Sequence, residues 1–193
     1  MTVADHVFDS LTEESAPEGV ICVARMQSTV HTAWQDGQEL PPKDEHIMLL
    51  ESVRDPSNIG AIIRSAAAFG VDRLILSADS ADIYHPRAVR ASMGTLFDQR
   101  IDRVQDLTAV ISALRRQGRR VFAAALREDA AVLGEFPLVS GDCVVIGNEG
   151  HGLSREVIAA CGNSVIIPMS ERAESFNAAV AASILMWEFA KGK

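Results

Sequence analysis

The chain has 193 residues, 48% hydrophobic content, three cysteines and a formal net charge of −8 at pH 7. This length and hydrophobicity predict one globular domain with an extension. No apolar run is long enough to cross a bilayer and the N-terminus lacks a signal-peptide pattern, so we expect a cytoplasmic protein with no membrane partner. The cysteines form no CxxC pair, which argues against a disulfide framework.

Charge and composition change along the chain. Residues 1–45 carry nine acidic residues against Arg25 and Lys43, whereas residues 54–127 carry twelve arginines against seven acidic residues. A basic stretch within an acidic chain is compatible with an anionic partner. We interpret residues 1–45, which include a predicted strand at 19–26, as an extension or connector ahead of a domain at 46–193.

From residue 46 onward, short apolar runs alternate with helical patterns. The predicted strands are 47–51, 73–77, 120–126, 143–147 and 164–168, and the predicted helices are 58–69, 86–93, 105–117, 154–161 and 175–190. This alternation is typical of an α/β fold in which a mainly parallel sheet carries helices on both faces.

The helix predicted at 58–69 has Asn58 as its expected N-cap and Gly70 as its expected C-cap. Arg64 lies outside the apolar stripe of this helix. Because helical side chains lean towards the N-terminus, we expect Arg64 to project over Gly60, where no side chain blocks it, towards the loop end of Asn58.

The helix predicted at 175–190 is apolar almost all round, so it must be buried on almost all sides. In a chain of this length, that pattern suggests a second subunit. We expect Ser175 to cap this helix, which would leave Asn177 free to face a site.

A loop between a strand and a helix carries Gly147, Gly150 and Gly152 around Asn148 and Glu149. Glycine lets the main chain approach a bound molecule, and ligands of open α/β sheets bind at the carboxyl ends of strands. The sequence therefore predicts a binding site at this loop. His151 lies in the same loop without a Cys or carboxylate partner set, so we expect no metal.

Four segments resemble motifs of the SpoU/TrmH family of S-adenosylmethionine-dependent RNA ribose 2'-O-methyltransferases, in the SPOUT superfamily. The first, second and third motifs correspond to NxGxxxR at 58–64, IGNEGHG at 146–152 and IPM with SFN within 167–177. The fourth segment, PRAVRASMG at 86–94, resembles a family segment that lies between the first two motifs. The resemblance implies a parallel sheet with a C-terminal trefoil knot, an exception to the rule that chains avoid knots. It also implies a homodimer that holds S-adenosylmethionine in the knot and methylates structured RNA, either tRNA or rRNA.

The resemblance assigns backbone of the second and third motifs to the cofactor. The cofactor residues it implies are Gly147, Asn148, Gly152, Ile167, Met169 and Phe176. Phe176 departs from the family, in which leucine is usual at this position, and we expect the change to alter the shape of the pocket rather than the chemistry.

The resemblance also assigns Arg64 as the catalytic arginine, against the alternative of an ion pair on the helix shoulder. A guanidinium is a poor free base, so we expect Arg64 to orient the ribose or phosphate and to assist proton loss. We expect Glu149 to position Arg64 or the substrate, although it could be an ordinary loop acid. Asn58 and Asn177 could contact substrate or only satisfy helix N–H groups.

The function predicted from these motifs is methyl transfer from S-adenosylmethionine to a ribose 2'-hydroxyl. The alternative is a non-catalytic knotted RNA-binding module. A Rossmann-type nucleotide enzyme is disfavoured by the GxxGxG spacing and by the lack of a Walker A sequence. Relatives commonly carry a small RNA-binding domain before the catalytic one, and residues 16–26 resemble the connector that follows it, so residues 1–45 are expected to be a remnant of such a domain or to follow a missing one.

Overall fold

A computed structural model describes residues 2–12, 18–24, 31–32, 40–170 and 172–191. The strands are β1 (His31–Thr32), β2 (Ile47–Leu50), β3 (Arg73–Ser77), β4 (Arg100–Val104), β5 (Val121–Ala124), β6 (Ala131–Val132), β7 (Cys143–Ile146) and β8 (Gly162–Ile166). The helices are α1 (Asp5–Leu11), α2 (Pro56–Phe69), α3 (Pro86–Ser92), α4 (Leu107–Arg116), α5 (Arg155–Cys161) and α6 (Ala178–Lys191), with a 3-10 helix at Thr95–Phe97.

The strands form one sheet in the order β1-β4-β3-β2-β7-β5-β8-β6, and all neighbouring strands are parallel. The predicted parallel α/β fold is confirmed. Because parallel strands end at the same edge of a sheet, the loops that follow β2, β7 and β8 open at one carboxyl edge.

Two apolar layers enclose the sheet. Alternate residues of β2 divide between them, so that Met48 and Leu50 lie in the layer under α2 and α6, whereas Ile47 and Leu49 lie in the layer under α4 and α5. Side chains of successive strand residues point to opposite faces, which explains this division. The helices therefore cover both faces, as the sequence predicts.

Close packing between α2 and α3 depends on Gly60. A Cβ placed on Gly60 would lie 2.3 Å from the carbonyl oxygen of Ala88 and 2.6 Å from the Cβ of Ala91. The expectation that Arg64 projects over Gly60, where no side chain blocks it, is therefore wrong about this space, which α3 and the Cβ of Ala91 occupy.

The predicted C-cap of α2, Gly70, is confirmed, whereas both predicted N-caps are wrong. Helix α2 begins at Pro56, and the side chain of Asp55 accepts a hydrogen bond from the backbone N–H two residues further on at 2.8 Å. Helix α6 begins at Ala178, and Oδ1 of Asn177 accepts hydrogen bonds from the backbone N–H groups of Ala179 and Val180 at 2.9 and 3.3 Å. Asn58 thus lies inside the first turn of α2, and Asn177 rather than Ser175 caps α6.

Strand β4 has no apolar signature in the sequence because charged side chains lie inside the fold. Asp102 is buried, and its carboxylate accepts a hydrogen bond from Nη1 of Arg73 at 2.6 Å. Arg73 also donates through Nε to Glu45 at 3.0 Å. A buried charge needs such partners, and sequence periodicity cannot show that they exist.

The strand predicted at 19–26 is wrong for residues 19–24, which form no strand, and residues 25–26 lie outside the described residues. Val23 is 98% exposed, so no neighbour supplies the hydrogen-bonding edge that a strand needs. The segment ahead of β2 instead contributes β1, which pairs with β4. Arg119 donates to the carbonyl groups of Pro41, Pro42 and Glu45 and ties residues 41–45 to the sheet.

Within the described ranges, no helix combines the length and hydropathy that a membrane crossing requires.

We expect Gly60→Val to lower the free energy of unfolding by about 3 kcal/mol, because the new side chain would collide with the α3 backbone. Ala67→Val adds the same side chain at an exposed position of the same helix and should cost less than ~1 kcal/mol. Urea denaturation followed by circular dichroism measures both values. Equal losses of unfolding free energy in the two variants would show that α3 moves aside without loss of stability, which would contradict close packing at Gly60.

Candidate active site

A cavity of about 230 Å³ lies at the carboxyl edge of the sheet, between the ends of β5, β7 and β8. All six residues that the sequence assigns to the cofactor line it: Gly147, Asn148, Gly152, Ile167, Met169 and Phe176. Leu126 adds an apolar wall, and Glu149 and Glu174 add two carboxylates. The cavity therefore combines an apolar surface with a polar rim, as sites for small ligands usually do.

The glycine-rich loop after β7 folds back on itself. Asn148 and Gly152 exchange two backbone hydrogen bonds of 3.1 and 2.9 Å, from each N–H to the opposite carbonyl. A Cβ on Gly147 would lie 2.3 Å from the carbonyl carbon of Gly152 and 2.4 Å from the backbone nitrogen of Leu153. Only glycine at position 147 allows the loop to close in this way.

The side chain of Asn148 fixes this loop from two directions. Its Oδ1 accepts from the backbone N–H of Gly150 at 2.8 Å and of His151 at 3.3 Å. Its Nδ2 donates to the carbonyl oxygen of Ser52, after β2, at 2.8 Å. Asn148 thus connects the glycine-rich loop at 147–152 to the loop that leads into α2.

A line of side-chain hydrogen bonds joins all three motifs. Nδ2 of Asn177 donates to Oδ1 of Asn58 at 3.0 Å, and Nδ2 of Asn58 donates to Oε1 of Glu149 at 2.8 Å. Asn58 is 8% exposed, so water has little access to its amide. Both amides donate in the direction of Glu149, so the line of hydrogen bonds ends on that carboxylate.

The second oxygen of Glu149 accepts a long hydrogen bond of 3.4 Å from the backbone N–H of Arg54. A carboxylate can accept about four hydrogen bonds, so Glu149 keeps acceptor capacity for a ligand at the cavity wall. The structure therefore places Glu149 against Asn58 and Arg54, and not against Arg64.

Arg64 lies apart from the line of amides. It occupies the exposed side of α2, one turn beyond Gly60, and forms no hydrogen bond or ion pair within the described part of the chain. The structure thus brings together Asn58, Glu149 and Asn177, whereas the guanidinium of Arg64 has all its donors available to an external group.

Three residues near the site were missed by the sequence reasoning. Ser52 has a left-handed backbone with φ of 54°, and its Oγ donates to Oδ2 of Asp79 at 2.5 Å. Glu51 accepts hydrogen bonds from the backbone N–H of Ser154, the N-cap of α5, at 2.8 Å and from its hydroxyl at 2.5 Å. The only sequence signal for them is that polar residues follow β2 and β3 directly, at the ends where ligands bind.

Neither cysteine of the sheet region is a nucleophile. Burial raises the pKa of Cys143 to about 11 and that of Cys161 to about 12, so both thiols stay protonated at neutral pH. In the described ranges, no three His, Cys, Asp or Glu side chains gather where they could hold a metal ion.

Comparison with known proteins decides the family. The model of the SpoU rRNA methylase family matches residues 45–187 of this chain. The chain belongs to the SpoU rRNA methylase family. The resemblance drawn from the motifs is confirmed.

Two curated relatives match nearly the whole chain. The 23S rRNA (guanosine(2553)-2'-O)-methyltransferase RlmP of Bacillus subtilis is 28% identical, over 96% of this chain and 70% of its own length. The 23S rRNA (uridine(2479)-2'-O)-methyltransferase of Streptomyces viridochromogenes is 34% identical, over 95% of this chain and 64% of its own length. The chain thus spans about two thirds of the length of these relatives.

Solved structures agree on the fold. The SpoU methyltransferase AviRb from Streptomyces viridochromogenes, in complex with the cofactor AdoMet, superposes with a TM-score of 0.68 and 34% identity over 78% of this chain and 61% of that one. An RNA 2'-O ribose methyltransferase superposes with a TM-score of 0.79 and 26% identity over 96% of this chain and 69% of that one.

We expect Gly147→Ala to abolish the rise in melting temperature that S-adenosylmethionine gives, because its Cβ would force the cofactor loop open. Gly150→Ala is the matched control, since a Cβ there meets only Oδ1 of Asn148, at an ordinary 3.4 Å. Thermal unfolding with and without the cofactor compares the two variants. A full ligand-induced shift in Gly147→Ala would show that the loop does not form the cofactor site.

Proposed function

We propose that this protein transfers a methyl group from S-adenosylmethionine to a ribose 2'-hydroxyl of structured RNA. The line of hydrogen bonds from Asn177 through Asn58 to Glu149 is the observation that carries the proposal, because it places a carboxylate with spare acceptor capacity on the wall of the cavity. Ribosomal RNA is the favoured substrate, since two relatives that cover 95–96% of the chain are named for 23S rRNA.

The cavity fits the proposed cofactor. Ile167, Met169 and Phe176 offer an apolar surface for a flat base, and the backbone of Gly147 lies close by without a side chain. Glu174 lines the same cavity and complements the positive charge of the cofactor. Bound S-adenosylmethionine would supply an electrophilic methyl group, and loss of that group would turn its sulfonium into a neutral thioether, so the protein needs little acid–base machinery.

The protein's contribution is to align the acceptor hydroxyl and to help it lose a proton. Glu149 is fixed by Asn58 at 2.8 Å and accepts a hydrogen bond from the hydroxyl through its remaining capacity. Arg64 supplies donors from the exposed side of α2, where the ribose or its phosphate approaches. Asn177 holds Asn58 in place while its Oδ1 caps α6.

The trefoil knot and the homodimer belong to this proposal. β7 lies between β2 and β5, although both precede it in the chain, and β8 lies beyond β5; this order is compatible with a threaded C-terminal segment. For the dimer, Val180 is 45% and Trp187 51% exposed on α6, and both line an apolar groove with Ala61 and Ile184. Exposed apolar surface of this kind is typical of an interface.

We expect Arg64→Ala to reduce the rate of methyl transfer about 10²- to 10³-fold, by analogy with the loss of one transition-state donor. The dissociation constant for S-adenosylmethionine should stay unchanged, because Arg64 does not line the cavity. Incorporation of labelled methyl groups into unmodified 23S rRNA and tRNA transcripts measures the rate, and calorimetry measures binding.

Arg116→Ala serves as the control, since Arg116 is an exposed arginine of α4 on the opposite face of the sheet. Full turnover in Arg64→Ala would remove Arg64 from the mechanism. Cofactor binding by the wild-type protein without transfer to either class of RNA would instead favour the non-catalytic RNA-binding module.

Val180→Asp should convert the dimer to a monomer, because it places a charge in the apolar groove of α6. The helix itself tolerates the change, since an acidic residue in the first turn complements the helix dipole. Val139→Asp, at a residue 48% exposed near the amino edge of the sheet, is the control. Sedimentation equilibrium measures the mass; a wild-type monomer, or a Val180→Asp dimer, would contradict this assignment.

A further inference from the structure

We propose that Asp79 is a positioning residue for the cofactor loop, the glycine-rich loop at 147–152. It acts through the strained turn at Ser52 and the amide of Asn148. The inference rests on the proposed function, because it assigns a role in binding of S-adenosylmethionine. Asp79 itself does not line the cavity, so its effect on the cofactor is transmitted by other residues.

The turn at Ser52 is held in place by hydrogen bonds. Its φ of 54° lies in the left-handed region that residues other than glycine rarely adopt. The hydroxyl of Ser52 donates to Oδ2 of Asp79 at 2.5 Å, and the backbone N–H of Ser52 donates to Oγ of Ser77 at 2.8 Å. Strain of this kind persists only where the surroundings determine the conformation, and it clusters at functional sites.

Asp79 is the centre of this arrangement. Besides Ser52, it accepts from Oγ of Ser77 at 2.7 Å through its other carboxylate oxygen, and from Nη2 of Arg54 at 3.4 Å. These hydrogen bonds, above all the one from Ser52, hold the pKa of Asp79 below its usual value. Both carboxylate oxygens are thus engaged, which an asparagine could not reproduce because its amide nitrogen accepts no hydrogen bond.

The consequence of the left-handed turn is the direction of the Ser52 carbonyl. This carbonyl accepts from Nδ2 of Asn148 at 2.8 Å, while Oδ1 of Asn148 holds two N–H groups of the glycine-rich loop. If the turn relaxes, Asn148 loses its acceptor outside the loop. The loop would then keep its internal hydrogen bonds but lose its fixed position beside the cavity.

The decisive variant is Ser52→Gly. Glycine adopts a φ of 54° without strain, which offsets the lost hydrogen bond to Asp79, so this variant should melt close to the wild type. Glycine also adopts other backbone conformations readily, so without the hydroxyl the turn is no longer held in the direction that Asn148 needs. We expect both Ser52→Gly and Asp79→Asn to weaken binding of S-adenosylmethionine about tenfold in calorimetry, the effect of losing one hydrogen bond to a charged group. A purely structural role would lower the melting temperature and leave this affinity unchanged.

Asp106→Asn is the matched control. Asp106 also accepts two local hydrogen bonds, from Thr108 and Ala109, but it caps α4 on the other face of the sheet. This variant should bind S-adenosylmethionine as the wild type does.

A double-mutant cycle tests the route through Asn148. If Asp79 acts through that amide, Asp79→Asn should weaken cofactor binding no further in the background of Asn148→Ala. Additive losses, or unchanged affinity in Asp79→Asn and Ser52→Gly, would overturn the inference and leave the proposed function intact. A wild-type protein that does not bind S-adenosylmethionine would overturn the proposed function, and this inference with it.

Discussion

A line of side-chain amides joins three distant parts of this chain and ends on one carboxylate. Asn177 caps α6 with its oxygen and donates with its nitrogen to Asn58, which in turn donates to Glu149. Each amide uses both of its polar atoms, so a rotation of Asn58 would break two hydrogen bonds and a rotation of Asn177 would break three. The three loops are therefore fixed relative to one another, and Glu149 takes its position from α2 and α6.

This constraint couples core packing to the site. Asn58 and Gly60 lie in the same turn of α2, and the missing side chain of Gly60 lets α3 pack directly against that turn. At the cavity, Gly147 lets the glycine-rich loop fold back against the end of β7. A displacement of α2 by a larger side chain would carry Asn58 with it, so small residues far from the cavity still affect where Glu149 lies.

The two halves of the proposed reaction are separated in the structure. The cavity for the small ligand lies between the ends of β5, β7 and β8 and is lined in part by apolar residues of the third motif. Arg64 lies outside it, on exposed helix surface. This separation suits an enzyme that encloses its cofactor and receives a large substrate from solvent, although the whole chain is acidic with a net charge of −8.

The sequence by itself determined the parallel α/β fold, because apolar periodicity is a local signal. It also determined the family through the resemblance of its motifs, and that resemblance implied six of the residues that line the cavity. The sequence failed where the deciding contact is distant in the chain. Strand β4 was not predicted because its charged residue Asp102 is buried against Arg73. The predicted strand at 19–26 is wrong because residues 19–24 have no sheet edge beside them.

The N-terminal ends of α2 and α6 show what residue type can and cannot predict at the site itself. Asn58 and Asn177 are both good capping residues by type. Asp55 followed by Pro56 is a local signal that places the cap of α2 ahead of Asn58. Only the packing of α2 against α6 decides that Asn177, besides capping α6, donates to Asn58 in the line to Glu149. The turn at Ser52, which needs Asp79 and Asn148 from other loops, has no sequence signal beyond the polar residues that follow β2 and β3. The tertiary structure decided these roles because a hydrogen bond between side chains depends on where the backbone carries them, and residue type states only that each can form one.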